Sequence, residues 1–237
     1  MAREPHVCES CGHHYCAAGV AIFSSLTAQQ LQQVVALVTR RQFEKGETIV
    51  GEGDRMDSLL ILNRGRAKAF RNSPDGREQI LYIFSSGDFF GERNLFQQRE
   101  SAYSVEALEE TGVCAISRAE FEQLLLNYPD IGLKIVQELS QRLERLEQAV
   151  AGMGTRSAET RVVSALLEFA AKYGREVDEG VLVELPLSQE GLGSYIGVAR
   201  ETVSRQLSNL QGDGTIRLVG NKKILILDKD ALANSMN

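Results

Sequence analysis

Four cysteines and three histidines are the residues of this chain with the widest chemistry. Cys8, Cys11 and Cys16 share one short segment with His6, His13 and His14, and Cys114 stands alone far downstream. Thiolates ligate soft metals, exchange into disulfides and climb an oxidation ladder, and imidazoles add nitrogen donors suited to zinc. In a reducing compartment four cysteines make a poor disulfide framework, so metal binding, a thiol switch and plain packing of Cys114 as a small hydrophobe all stay open. A second set of side chains is suited to hydrogen bonding: Arg200, Glu201, Thr202, Ser204 and Arg205 lie almost consecutively. Arginine can fork onto guanine, glutamate can accept from the amino group of cytosine, and a serine hydroxyl can serve either kind of base edge.

Those side chains need elements to hold them. Apolar residues Leu31, Val34, Val35 and Val38 recur at helical spacing behind a capping Thr27, which predicts a short helix. From Thr39 to Ile116 short apolar runs are punctuated by Gly46, Gly53, Gly65, Gly76, Gly87 and Gly91, the pattern of a β-roll or barrel. Pro74, Asp75 and Gly76 supply a turn between strands at Ala67–Phe70 and Gln79–Phe84. After Pro129, the series Val136, Leu139, Leu143, Leu146, Val150 and Met153 alternates steps of three and four. Its flanks, Arg142, Glu144, Arg145 and Glu147, are charged, as expected for a two-helix seam. Gly152 and Gly154 mark an expected hinge. Beyond it, a helix through Val162, Leu166, Leu167 and Ala170 precedes the stretch 187–211, LSQEGLGSYIGVARETVSRQLSNLQ. There Ser188 caps a first helix, Gly197 bends the chain, and a second helix starting near Ala199 buries Val203, Leu207 and Leu210 while Arg200, Glu201, Ser204 and Arg205 point away. Strands around Gly220, Asn221 and Lys222 close the domain.

The predicted organisation is a Cys/His-rich head at residues 1–25, a β-roll at 26–128, a long helix at 129–154 and a helix-turn-helix domain with a wing at 155–237. The fold class is α+β. The chain has 237 residues, 43% hydrophobic and 24% charged, with a formal net charge of −6. That sum argues against binding polyanions over the whole surface. From Arg200 to Lys223, however, Arg200, Arg205, Arg217, Lys222 and Lys223 face only Glu201 and Asp213, which leaves a local basic patch. No apolar run approaches the roughly 18 residues of a membrane span, and the N-terminus lacks a signal peptide's apolar core, so a cytoplasmic location is expected. No nucleophile–base pair or phosphate-binding glycine loop stands out, so an enzyme is not expected.

The stretch 187–211 resembles the helix-turn-helix of CRP/FNR transcription regulators, and Glu201, Ser204 and Arg205 match the E-x-x-S-R signature of the FNR-type, oxygen-sensing branch. Phe43–Glu52 (FEKGETIVGE), Gly65 and Gly87–Glu92 (GDFFGE) resemble the family's β-roll markers in order and spacing. The resemblance implies a cyclic-nucleotide-binding-like β-roll, a long dimerisation helix and a C-terminal winged helix-turn-helix. It also implies a homodimer on palindromic promoter DNA, with RNA polymerase as a further partner, acting as activator or repressor. Arg205 would read guanine, Glu201, Ser204, Arg200 and Thr202 would serve neighbouring contacts, and Ser188, Gln189 and Lys222 would approach phosphates. Members that bind cyclic AMP use a Gly-Glu pair and an Arg-Ser or Arg-Thr pair. Gly91 and Glu92 match the first, but the second aligns with Glu100 and Ser101, which puts a carboxylate where phosphate should bind and leaves Arg99 on the opposite side of the strand. FNR-type sensors instead hold a [4Fe-4S] cluster on three N-terminal cysteines and one distant one, and Cys8, Cys11, Cys16 and Cys114 match that set, with the Cys11–Cys16 interval one residue shorter than in enterobacterial members. The cluster is therefore the expected cofactor. Zinc held by cysteine and histidine, a thiol switch and a cyclic nucleotide are the alternatives.

Overall fold

A computed structural model describes Ala17 and residues 19–97, 99–155 and 157–235. Cys8, Cys11 and Cys16, with His6, His13 and His14, lie outside the described residues. The described residues form two compact units, one running up to Arg71 and resuming at Leu81–Glu144, the other made of Asn72–Ile80 and Arg145 onward.

In the first unit a 3-10 turn at Ala21–Phe23 leads into helix α1 (Ala28–Ala36). Thr27 caps it as predicted and does so reciprocally: its hydroxyl accepts from Gln30 N, and the Gln30 side chain accepts from Thr27 N at 2.8 Å, satisfying two otherwise orphaned donors. Eight strands follow: β1 (Thr39–Phe43), β2 (Thr48–Val50), β3 (Ser58–Arg64), β4 (Arg66–Asn72), β5 (Glu78–Ser85), β6 (Phe89–Phe90), β7 (Ser104–Ala107) and β8 (Thr111–Ser117). Helix α2 (Glu92–Gln97) interrupts them, and α3 (Arg118–Asn127) and α4 (Pro129–Thr155) follow. The strands make two four-stranded antiparallel sheets, β1-β8-β3-β6 and β2-β7-β4-β5.

Alternation along β8 gives this roll two cores. Val113 faces inward with Leu62, Val50, Ala69, Phe84 and Phe90, filling the space between the sheets. Cys114 and Ile116 face the other way, with Leu59 and Ile61, onto Val34 of α1, Phe121 of α3 and Ile131 and Ile135 of α4. Each such side chain removed from water contributes about 1.5–3 kcal/mol, which is why the helices are held against this face.

Helix α4 sorts the predicted seam. Leu139 packs on the helix-side core, whereas Leu133, Val136, Leu143 and Val150 are exposed, a heptad row left open on the surface. Gly152 and Gly154 lie inside α4 and do not form a hinge. Each costs the helix only about 1 kcal/mol relative to alanine, less than a proline break. Helix α5 (Ala158–Tyr173) then starts anew at Ser157, whose hydroxyl accepts from Thr160 N at 3.1 Å.

The second unit adds β9 (Gly174–Val177), β10 (Gly180–Glu184), α6 (Gln189–Ile196), α7 (Arg200–Gly212), β11 (Ile216–Val219), β12 (Lys223–Ile226) and α8 (Lys229–Asn234). Its sheet runs β11-β12-β10-β9. Among the described residues no helix is long and apolar enough to cross a membrane.

Candidate nucleic-acid interface and effector site

Ser188 caps α6, accepting from Gly191 N at 3.2 Å, and Gln189 is the first residue of that helix. The helix ends at Gly197, which is left-handed (φ 72°) and donates its N–H to Gly193 O at 2.8 Å, the helix-ending conformation that glycine adopts without penalty. Gly193 is needed for a different reason, because a Cβ there would stand 2.6 Å from Val198 O. The turn therefore lies directly on α6. Helix α7 follows with Val203, Leu207 and Leu210 buried, as predicted.

The opposite face of α7 presents Arg200, Glu201, Ser204 and Arg205 to solvent, with Thr202 half-buried and Ser208 exposed beside them. No ion pair or hydrogen bond ties the Arg200 or Arg205 guanidinium to another side chain among the described residues, so both are available to a ligand. At the wing, Gly220, Asn221 and Lys222 form the turn between β11 and β12, and Lys222 and Lys223 are exposed. Arg217 is not part of the available charge, because it pairs with Glu179 at the β9–β10 turn.

Sequence reasoning missed how the turn is held. The last carbonyls of a helix have no partner within it. In α6 they are met by two side chains from elsewhere in the second unit. Arg161 Nη1 donates to Ile196 O at 3.0 Å and Gly197 O at 3.2 Å. Gln79 Nε2, from β5, donates to Ser194 O at 2.8 Å and lies 3.4 Å from Tyr195 O. The Tyr195 hydroxyl donates to both carboxylate oxygens of Glu168, and its ring stacks on Phe169 at 5.5 Å. Burial first, and the Glu168 charge second, push its pKa up, so it remains a donor at any ordinary pH. The closeness of Gly193 could have been suspected from a small residue in a tight turn. Nothing in the sequence pairs Gln79 with a residue 115 positions away.

In the first unit, Gly91 is left-handed (φ 91°), and a Cβ would approach Ser58 O to 2.8 Å, which gives it a structural role. Glu92 is 4% exposed. Its Oε1 lies 3.5 Å from Arg142 Nη1, and its Oε2 is buried with no hydrogen-bond partner among the described residues. Burial raises its pKa, against the pull of Arg142. The Arg142 guanidinium lies over the Phe89 ring at 4.4 Å and donates to Phe89 O at 2.6 Å. Tyr82 stacks on Phe84, Phe84 on Phe90, and Tyr103 meets Tyr82 edge-on. Glu100 is exposed, 3.7 Å from Arg55, and the Ser101 hydroxyl is spent on Tyr103 O at 2.7 Å. A cavity of about 350 Å3 opens beside β1, β2, β3 and β8, lined by Phe43, Val50, Met56 and Leu60 together with the charged Arg41, Asp54, Arg55 and Asp57.

Cys114 is 2% exposed and shares its apolar cluster with Ala17 and Val20. Among the described residues no three Cys, His, Asp or Glu side chains converge as a metal site.

Residues 40–128 match the cyclic nucleotide-binding domain and residues 160–235 the Crp-like helix-turn-helix domain. The chain is 31% identical to a probable transcriptional regulator flp of Lacticaseibacillus casei, over 92% of this chain and 96% of that one. It is 29% identical to a CRP-like cAMP-activated global transcriptional regulator of Mycobacterium tuberculosis, over 91% and 96%. Among solved structures, FixK2 from Bradyrhizobium japonicum superposes with a TM-score of 0.74 at 27% identity, covering 83% of this chain and 96% of that one. With both family domains matched in order and a relative above 30% identity along nearly its whole length, the chain belongs to the CRP/FNR family of DNA-binding transcription regulators.

Proposed function

We propose that this regulator responds to oxygen or redox state through a [4Fe-4S] cluster held by Cys8, Cys11, Cys16 and Cys114. What supports the reading is the set of four cysteines itself, of which Cys114 is held buried in the helix-side core of the roll. The donor set is four thiols, the chemistry such a cluster requires. When bound, such a cluster would supply oxygen-labile iron–thiolate chemistry at these four cysteines. The chain's own residues do the rest. Leu133, Val136, Leu143 and Val150 present an apolar row that a second copy of α4 would cover, making a homodimer. Two copies of α7 then meet half-sites one helical turn apart in a palindromic promoter. In each, Arg205 forks onto guanine, Glu201 and Ser204 contact neighbouring bases, Arg200 and Thr202 lie alongside, and Ser188, Gln189 and Lys222 approach phosphates. FNR-like TTGAT half-sites and contact with RNA polymerase complete this reading, with the cytoplasm as its location.

A cyclic nucleotide is the second reading, favoured by the domain match and by the orphaned Oε2 of Glu92 beside Gly91, which would accept from a ribose hydroxyl. Against it stand Glu100 in the phosphate position and the Ser101 hydroxyl already engaged, because a carboxylate beside phosphate costs affinity. Purification without oxygen, followed by iron and zinc analysis and titration with cyclic AMP, decides between them. About four irons per chain and an absorbance that bleaches in air support the cluster. Colourless protein carrying stoichiometric zinc, or micromolar cyclic AMP binding without iron, removes it.

A further inference from the structure

The cap on α6 is built partly from Gln79, a residue distant in sequence but within the same unit. Asn72–Ile80 belongs to the second unit, although β5, which carries Gln79, continues through Leu81 to Ser85 in the first. The Gln79 amide is half-buried and also lies 3.2 Å from Ile80 O, so its Nε2 is surrounded by three carbonyl oxygens and its orientation is fixed by them. The carbonyls it meets, Ser194 and Tyr195, are in the last turn of α6, a few residues before α7 begins at Arg200. Helix α7 has no side-chain cap of its own at Ala199. Its start is therefore set by the turn, and the turn is set by Gly193, Arg161 and Gln79.

We propose that Gln79 is a positioning residue for DNA recognition: by donating to the Ser194 and Tyr195 carbonyls it fixes the turn from which the reading helix projects, making DNA affinity depend on a side chain outside the helix-turn-helix itself. The inference rests on α7 being the reader. Gln79 touches neither a base nor a phosphate in this scheme, so its effect on binding is indirect. Loss of the donor lets the end of α6 loosen, and part of the binding free energy is then spent on ordering it.

The test uses the full chain, handled without oxygen, and a duplex selected by the wild-type protein from random DNA. Gln79→Glu keeps the shape but cannot donate and sets a carboxylate against two carbonyls. Gln79→Lys restores a donor. Gln79→Glu should bind the selected duplex about tenfold more weakly, the scale of one lost hydrogen bond that leaves its acceptors unsatisfied. Its slope against log salt should be unchanged, because no phosphate contact is removed. Amide exchange over residues 194–204 should quicken while α5 stays protected. Gln79→Lys should return affinity to within about threefold of wild type. Wild-type affinity in Gln79→Glu, or an equal loss in Gln79→Lys, overturns the proposal. An error in the reader assignment shows separately, as Arg205→Ala keeping full base discrimination while Gln79→Glu still weakens binding.

Discussion

Arg205 and Lys222 are both exposed cations of the second unit, but they stand at different places and should fail differently. Arg205→Ala should remove about 1–3 kcal/mol of preference at one symmetric base pair per half-site and spare non-specific affinity. Lys222→Ala should weaken all sequences alike and flatten the salt dependence by about one charge. Competition binding against single-base variants at several salt concentrations separates the two. An equal loss on every sequence for Arg205→Ala would reduce it to a phosphate contact. Cys114 asks for a different measurement. If it ligates iron, Cys114→Ala should lose iron as completely as Cys11→Ala, although the substitution only trims a small side chain from the core. Glu92 makes a prediction about pH. Burial raises its folded pKa, so protonation favours the folded state, and the stability it adds is full below the ordinary carboxylate range and fades as pH rises through the raised value. Denaturant unfolding of Glu92→Gln should show a flatter pH profile between pH 4 and 8 and a relative gain over wild type at the upper end. A parallel profile for the two proteins would mean that Arg142 compensates the buried charge fully.

Elements were legible in the sequence where local periodicity decided them. Thr27, Pro129, Ser188 and Gly197 each begin or end a helix where capping and turn chemistry place them, and the buried row Val203, Leu207 and Leu210 fell on the expected face of α7. Two features were not legible. Gly152 and Gly154 were expected to mark a hinge, yet α4 absorbs both and the break comes after Thr155, because glycine weakens a helix without removing a hydrogen bond. Leu139 shows the same phase as its seam neighbours but packs on the roll, a choice made by tertiary contacts. The division of labour along α4 can be tested. Leu143→Lys should abolish dimers in sedimentation while preserving the fold, since Leu143 is 57% exposed in the single chain. A persisting dimer would assign the interface elsewhere. At α6, Ser188→Ala should cost about 0.5–2 kcal/mol of stability, the usual worth of an N-cap, read as a lower denaturation midpoint.

At the scale of the whole molecule, the family-level architecture was carried by motifs spread along most of the chain, while the effector was not: Gly91 and Glu92 suit one class of ligand and the four cysteines another, and no local pattern chooses between them. The long-range pairs were equally silent: Glu92 with Arg142, and Gln79 with Ser194, join residues that no spacing rule connects. The last of these bears on how such regulators can be recombined. A cut after Thr155 looks natural, since one helix ends there and Ser157 starts the next, and chimaeras would ordinarily be spliced at that point. Yet the reading head so excised leaves Gln79 behind, with the Ser194 and Tyr195 carbonyls exposed to water. A head grafted onto another member's roll inherits whatever side chain that roll carries at the matching position of its hairpin. Such a head keeps Gly193 and Arg161 but not its third support, and chimaeras in which hairpin and head are exchanged together should keep all three.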